Sequence, residues 1–299
     1  MLIFQEHFVT IWRWGAAIFA SYFLLGTAFG QPQQPVGGAQ RVQVPSQDRA
    51  DGQPLMLDGW WYAASVLEPA PVVLMLHGCG GMLNARGEPN LRTKEYAALL
   101  NARGWHALAL DSLTPRGEKE ICTQRIGTRR ITQTERRRDA LGALAWLAEQ
   151  PGTDPARIAL LGWSHGGSAV LAATNLNHPD VARAGVRPRL AVAFYPGCEV
   201  DVRRGYRPST EALLMLGLAD DWTPAAPCQT LAGEGPPRVT VLAWEGAYHG
   251  FDDTAPVRHR ADVPNGANPG QGVHRGGHPE ARQASQQALV EALQRVLAR

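Results

Sequence analysis

The sequence predicts an α/β protein with a mostly parallel central sheet and helices on both faces. Three observations predict it. Apolar strand-like runs alternate with helix-like segments from residue 55 to Leu297, the pattern of a parallel sheet with helical crossovers. Pro71–His77 is almost uninterruptedly apolar, as a strand buried on both faces must be. A second apolar run, Arg157–Leu161, ends in Gly162-Trp163-Ser164-His165-Gly166, where a strand turns sharply into a helix.

Taken in order, the first thirty residues differ from the rest. Arg13 precedes an uncharged stretch, Trp14–Gly30, that closes on the small residues Ala28 and Gly30 and is followed by polar Gln31-Pro32-Gln33-Gln34-Pro35. That layout predicts a cleaved secretory signal over residues 1–30. Glu6 offsets Arg13, so a retained membrane anchor is the alternative. Residues 31–54, rich in Pro, Gln and Gly, read as a linker, and 55–299 as the folded domain. Leu55–Ala64 reads as a strand whose Trp60-Trp61-Tyr62 pack in the sheet.

After the Pro71–His77 strand, Lys94–Arg103 reads as a helix ended by Gly104, and Trp105–Leu110 as the next strand. Residues 112–131 form a long loop. Thr132-Gln133-Thr134-Glu135 fits a capping box, opening a helix with Ala140, Leu141, Leu144, Leu147 and Ala148 inward and stopped by Pro151-Gly152. A helix is expected from about Ser168 to Asn177, then strands over Leu190–Tyr195, Ala212–Leu216 and Arg238–Trp244. Residues 253–280 look irregular, and Glu280–Leu297 closes the chain as a helix.

The balance of 29 basic against 27 acidic residues provides no general attraction to nucleic acid or acidic membranes. Arg129-Arg130 and Arg136-Arg137-Arg138 read as a solvated helix face. Four cysteines in an exported chain invite two disulfides, with three connectivities open.

The chemistry lies in the loops that follow strands, because an open parallel sheet gathers its functional groups beyond the strands' carboxyl ends. Ser164 lies on the sharp turn; Gly162 and Gly166 let two backbones approach there. A serine hydroxyl needs a base, and the base a third group to orient it. His249, in Ala247-Tyr248-His249-Gly250-Phe251, follows the strand Val239–Trp244. Asp220 follows Leu213–Leu216 through Gly217, with neighbouring Asp221 as the alternative acid. The order Ser, Asp, His is that of the α/β-hydrolase triad. Donors for an oxyanion are expected from the N–H of His165 and from His77-Gly78-Cys79-Gly80-Gly81, where Cys79 acts through its backbone.

Together, His77-Gly78-Cys79-Gly80-Gly81, Gly162-Trp163-Ser164-His165-Gly166-Gly167, Gly217-x-x-Asp220, Tyr248-His249-Gly250-Phe251 and Asp154-Pro155-Ala156-Arg157-Ile158 resemble the dienelactone hydrolase family over residues 55–299. The resemblance implies an α/β-hydrolase fold with Ser164, Asp220 and His249 as the triad. Dienelactone hydrolase proper has a cysteine where this chain has Ser164, which turns the expected substrate from dienelactones to small carboxylic esters or lactones at large. A peptidase or polyester hydrolase of the same fold, and a non-catalytic binding module, are the competing readings. The sheet order the resemblance implies brings adjacent loops together, pairing Cys79 with Cys122 and Cys198 with Cys228. The chemistry calls for no cofactor or metal. His259, His274 and His278 lack tight ligand spacing and suggest a polar rim. Arg116 could meet a substrate carboxylate or brace its loop by a salt bridge.

Overall fold

The computed structural model describes residues 38–67 and 69–298; the expected signal segment lies outside them. Eight strands form one sheet in the order β1-β2-β4-β3-β5-β6-β7-β8. These are β1 Ala39–Ala50, β2 Gln53–Tyr62, β3 Ala70–Leu76, β4 His106–Asp111, β5 Thr153–Trp163, β6 Leu190–Phe194, β7 Glu211–Gly217 and β8 Val239–Trp244. The pairs β1–β2 and β2–β4 are antiparallel, and every pairing from β4 to β8 is parallel.

Alternation along the strands divides the core into two layers. Val72, Leu74, Leu76, Leu160, Ala191 and Leu214 face α2 (Gln133–Ala148) and α3 (His165–Thr174). Val73, Met75, Leu161, Val192 and Met215 face α1 (Leu91–Asn101) and the closing helix α7 (Pro279–Leu297). Short helices α4 (Pro179–Arg183), α5 (Glu199–Arg204) and α6 (Ala225–Gln229) fill the crossovers. Burial of β3 on both faces explains its unbroken apolar sequence.

Four expectations need correction. The linker expected over residues 31–54 is, from Ala39, an edge strand: β1 pairs with β2 from Ala39↔Tyr62 to Ala50↔Gln53. Its polar composition reflects the solvent-facing edge of the sheet. The helix expected from about Ser168 starts at His165, because the turn at Ser164 leaves no intervening residues. Residues 253–280 contain a small hairpin, β9 Arg258–Arg260 with β10 Val273–Arg275. Two of the three arginines of α2 are not solvated: Arg136 is fully buried and Arg137 nearly so, while Arg138 keeps 42% of its side chain exposed.

The capping box forms as expected, the Thr132 hydroxyl accepting from the Thr134 N–H and Glu135 reaching back to the Thr132 N–H. Arg116 braces its loop, bidentate to Asp139 and bound to Asp48 and the Ser112 carbonyl. Disulfides join Cys79 to Cys122 and Cys198 to Cys228. No helix among the described residues is long and apolar enough to cross a membrane.

Candidate active site

The sheet order reverses direction at β3, whose neighbours are β4 on one side and β5 on the other. A crevice opens at such a point beyond the strands' carboxyl ends. Ser164 lies there, between β5 and α3, with φ 54° and ψ −120°, a conformation L-residues adopt only under constraint. The constraint is packing. A Cβ on Gly162 would come within 2.3 Å of the Gly166 carbonyl oxygen, and one on Gly166 within 2.0 Å of the Leu76 oxygen. The Ser164 N–H is tied to Phe194 O at 2.9 Å.

Three distant loops converge on this turn. His249 Nε2 is 2.9 Å from Ser164 Oγ, and its Nδ1 is 2.8 Å from Asp220 Oδ2. This geometry fits the neutral tautomer in which Nδ1–H donates to the carboxylate and Nε2 accepts the serine proton. Asp220 also accepts the N–H groups of Trp222 and Thr223 at 2.8 and 2.9 Å. The imidazole is held between Tyr195 and Trp222, with ring centroids 4.6 and 4.5 Å away. Asp221 turns elsewhere: it accepts the His274 N–H and Nδ1 at 2.8 and 2.7 Å, fastening β10. Its neighbour on that hairpin, His259, packs its ring 4.9 Å from that of His274, while the His278 side chain caps α7.

The loop after β3 faces the serine. His77 Nε2 accepts the Ser112 N–H at 3.2 Å, while Nδ1–H donates to the Gly78 carbonyl at 2.7 Å. Burial above all, then the Arg136 cation, pushes the His77 pKa down to about 3, so the ring is a neutral strut between the ends of β3 and β4. The Cys79 carbonyl accepts from Ile121, and the disulfide ties the loop to Cys122. Among the described residues no acceptor takes the N–H of Cys79 or of His165; His165 is the first residue of α3, where helix donors are left open.

The site opens into a cleft of about 300 Å³ lined by Ser164, His249, Trp222, Tyr195, Leu91 and Arg92 among others. Arg92 is bidentate to Asp252, which also accepts the hydroxyls of Tyr96 and Tyr195 at 3.0 and 2.6 Å. Burial pushes the Tyr195 phenol well up, so it stays a donor. None of Arg92, Tyr195, Trp222 or Asp252 was visible as a site residue in the sequence. Asp252 follows His249 by only three positions, a proximity that offered the one local signal for it.

A layered sheet with a strained serine turn at its switch point and a Ser–His–Asp hydrogen-bonded chain is the architecture of an α/β-hydrolase. The chain belongs to the dienelactone hydrolase family, whose family model matches residues 59–297. Esterase 2 of Thermogutta terrifontis, in its form phosphoramylated by tabun, superposes with a TM-score of 0.58 at 16% identity, covering 90% of this chain and 99% of that one. A dienelactone hydrolase-like promiscuous phosphotriesterase, P91, from metagenomic libraries reaches 0.59 at 20% identity, with 87% and 99% coverage. At these identities the likeness is one of fold. The non-reducing polyketide synthase pkbA of Emericella nidulans is 29% identical over 171 residues, 54% of this chain; the match spans only 6% of that protein's length.

Proposed function

We propose that the protein cleaves small carboxylic esters or lactones through an acyl-enzyme on Ser164. His249 takes the hydroxyl proton as Ser164 Oγ adds to the carbonyl carbon, and the oxyanion settles on the N–H groups of Cys79 and His165. The intermediate collapses as His249 protonates the departing alkoxide. Water, deprotonated by His249, then attacks the acyl carbon and releases the acid and free Ser164. Asp220 holds the imidazole tautomer and stabilises its cation. The single observation that carries this reading is the pair of hydrogen bonds from His249 to Ser164 and Asp220, 2.9 and 2.8 Å, inside a cleft.

The export layout of residues 1–30 and two disulfides support a periplasmic or secreted address, because such bonds persist in oxidising compartments. A fluorophosphonate probe tests the mechanism: it labels wild type and leaves a folded Ser164→Ala variant unlabelled. An unlabelled, folded wild type would sink the reading in favour of a binding module. A panel of p-nitrophenyl esters, lactones, aminoacyl amides and polyester oligomers then separates esterase from peptidase and polyester hydrolase, with the small esters and lactones turned over fastest.

A further inference from the structure

Behind the oxyanion donors lies a group that the mechanism above does not use. Arg136, in the first turns of α2, has no exposed surface. Its Nη2 donates to the His77 carbonyl at 2.8 Å and its Nη1 to His165 Nδ1 at 3.3 Å. These partners belong to the two halves of the expected oxyanion hole. His77 opens the loop that presents the Cys79 N–H, and His165 carries the other N–H. The two halves are pressed together at this point, since a Cβ on Gly166 would lie 2.5 Å from the His77 oxygen.

The charge is as informative as the contacts. Among the described residues Arg136 makes no ion pair, and its Nε has no partner. Asp139 and Asp111 lie near enough to favour its charged form, but neither bonds to it: Asp139 holds Arg116 and the Ser46 hydroxyl, and Asp111 accepts the N–H groups of Leu113 and Thr114 through one oxygen, its other oxygen having no partner among the described residues. Both flanking histidines are held neutral, chiefly by burial. Burial lowers the guanidinium pKa only to about 10, so it is charged at neutral pH. A buried cation with no direct ion pair is costly, and a site that develops negative charge next to it during reaction recovers part of that cost.

We propose that Arg136 is a positioning residue of the oxyanion hole: it clamps the Cys79 and His165 loops in register and sets a fixed positive charge behind the developing oxyanion. The proposal rests on the acyl-enzyme reading. Its action is through the backbone donors, without contact with substrate.

The test compares wild type with Arg136→Met and Arg136→Lys on a p-nitrophenyl ester and on a trifluoromethyl ketone. Ser164 adds to that ketone to form a tetrahedral adduct bearing the oxyanion. Arg136→Met is expected to lower kcat about 10–100-fold, within the range for losing oxyanion stabilisation, while KM stays within about threefold. Affinity for the ketone should fall in proportion to kcat/KM. Arg136→Lys, which keeps the charge but spans only one of the two contacts, should recover part of both. A folded Arg136→Met enzyme with wild-type kcat overturns the proposal, as does a kcat loss with undiminished ketone affinity. Should Arg136→Met fail to fold, Arg136→Lys decides by the same two readouts: a proportional loss in both supports the clamp, and unchanged values refute it. Fluorophosphonate labelling of wild type separates failure of this proposal from failure of the underlying mechanism.

Discussion

At the scale of single residues, adjacent carboxylates have been given different tasks by the direction of one turn. Asp220 faces His249 with a side chain 1% exposed, whereas Asp221 is 30% exposed and faces His274. Asp220→Asn is therefore expected to lower kcat by roughly 10⁴, the loss seen when a triad histidine is left in the wrong tautomer. Asp221→Asn should keep kcat within a few-fold and instead free the β9–β10 hairpin, read as faster amide exchange at residues 273–275. A larger kcat loss from Asp221→Asn than from Asp220→Asn would reverse the assignment. Local sequence could not separate the two, because both follow the same strand. Ser164 was legible for the opposite reason: at the glycines flanking it a Cβ would fall 2.0–2.3 Å from a backbone oxygen, which no other residue type allows. Arg136 was misread as solvated because charge in a helix suggests water, and only packing of α2 against the ends of β3 and β5 buries it.

Among elements, the long loop at residues 112–131 gains its order from one crosslink, a dense set of hydrogen bonds and a small apolar cluster. It contains just one 3-10 turn, Thr114–Arg116, and its small apolar cluster gathers Leu113, Ile121, Cys122 and Ile131 around Cys79. The Cys79–Cys122 bond is thus where this loop holds the loop after β3 in place. Cys122→Ser in the presence of the other disulfide should cost about 2–4 kcal/mol of stability and lower kcat more than it raises KM, because the Cys79 N–H is then less firmly aimed. Thermal melts and steady-state kinetics on the variant check both parts; a lower melting temperature with unchanged kcat would make the bond purely structural. Strands β3–β8 were legible from apolar runs. Edge strand β1 was not, because an edge strand that keeps much of its side-chain surface in water needs no apolar run to hold its place.

For the whole molecule, stability should depend on buried neutral histidines. His77 titrates near 3 in the folded protein, lowered chiefly by burial and then by Arg136, and His165 lies well below its ordinary value for the same two reasons. The unfolded chain binds those protons from about pH 6.5 downward, so below that pH the unfolded state carries more protons than the folded one. Stability is fully present above about pH 6.5 and falls as the pH drops towards the folded value near 3. Urea midpoints measured at pH 7.5 and pH 4.5 are expected to decrease, and His77→Gln, which removes one such group, should flatten the decline. An equal slope in that variant would remove His77 from the account. The sequence by itself determined the alternation of strands and helices, the serine turn and the chain order of serine, aspartate and histidine, because each depends on local periodicity or on sterics within a few residues. Only the tertiary structure decided which carboxylate meets His249, that residues 39–50 add a strand, and that Arg136 lies against His77 and His165. Those outcomes depend on which distant segments the sheet order brings into contact, and neither spacing nor composition encodes that.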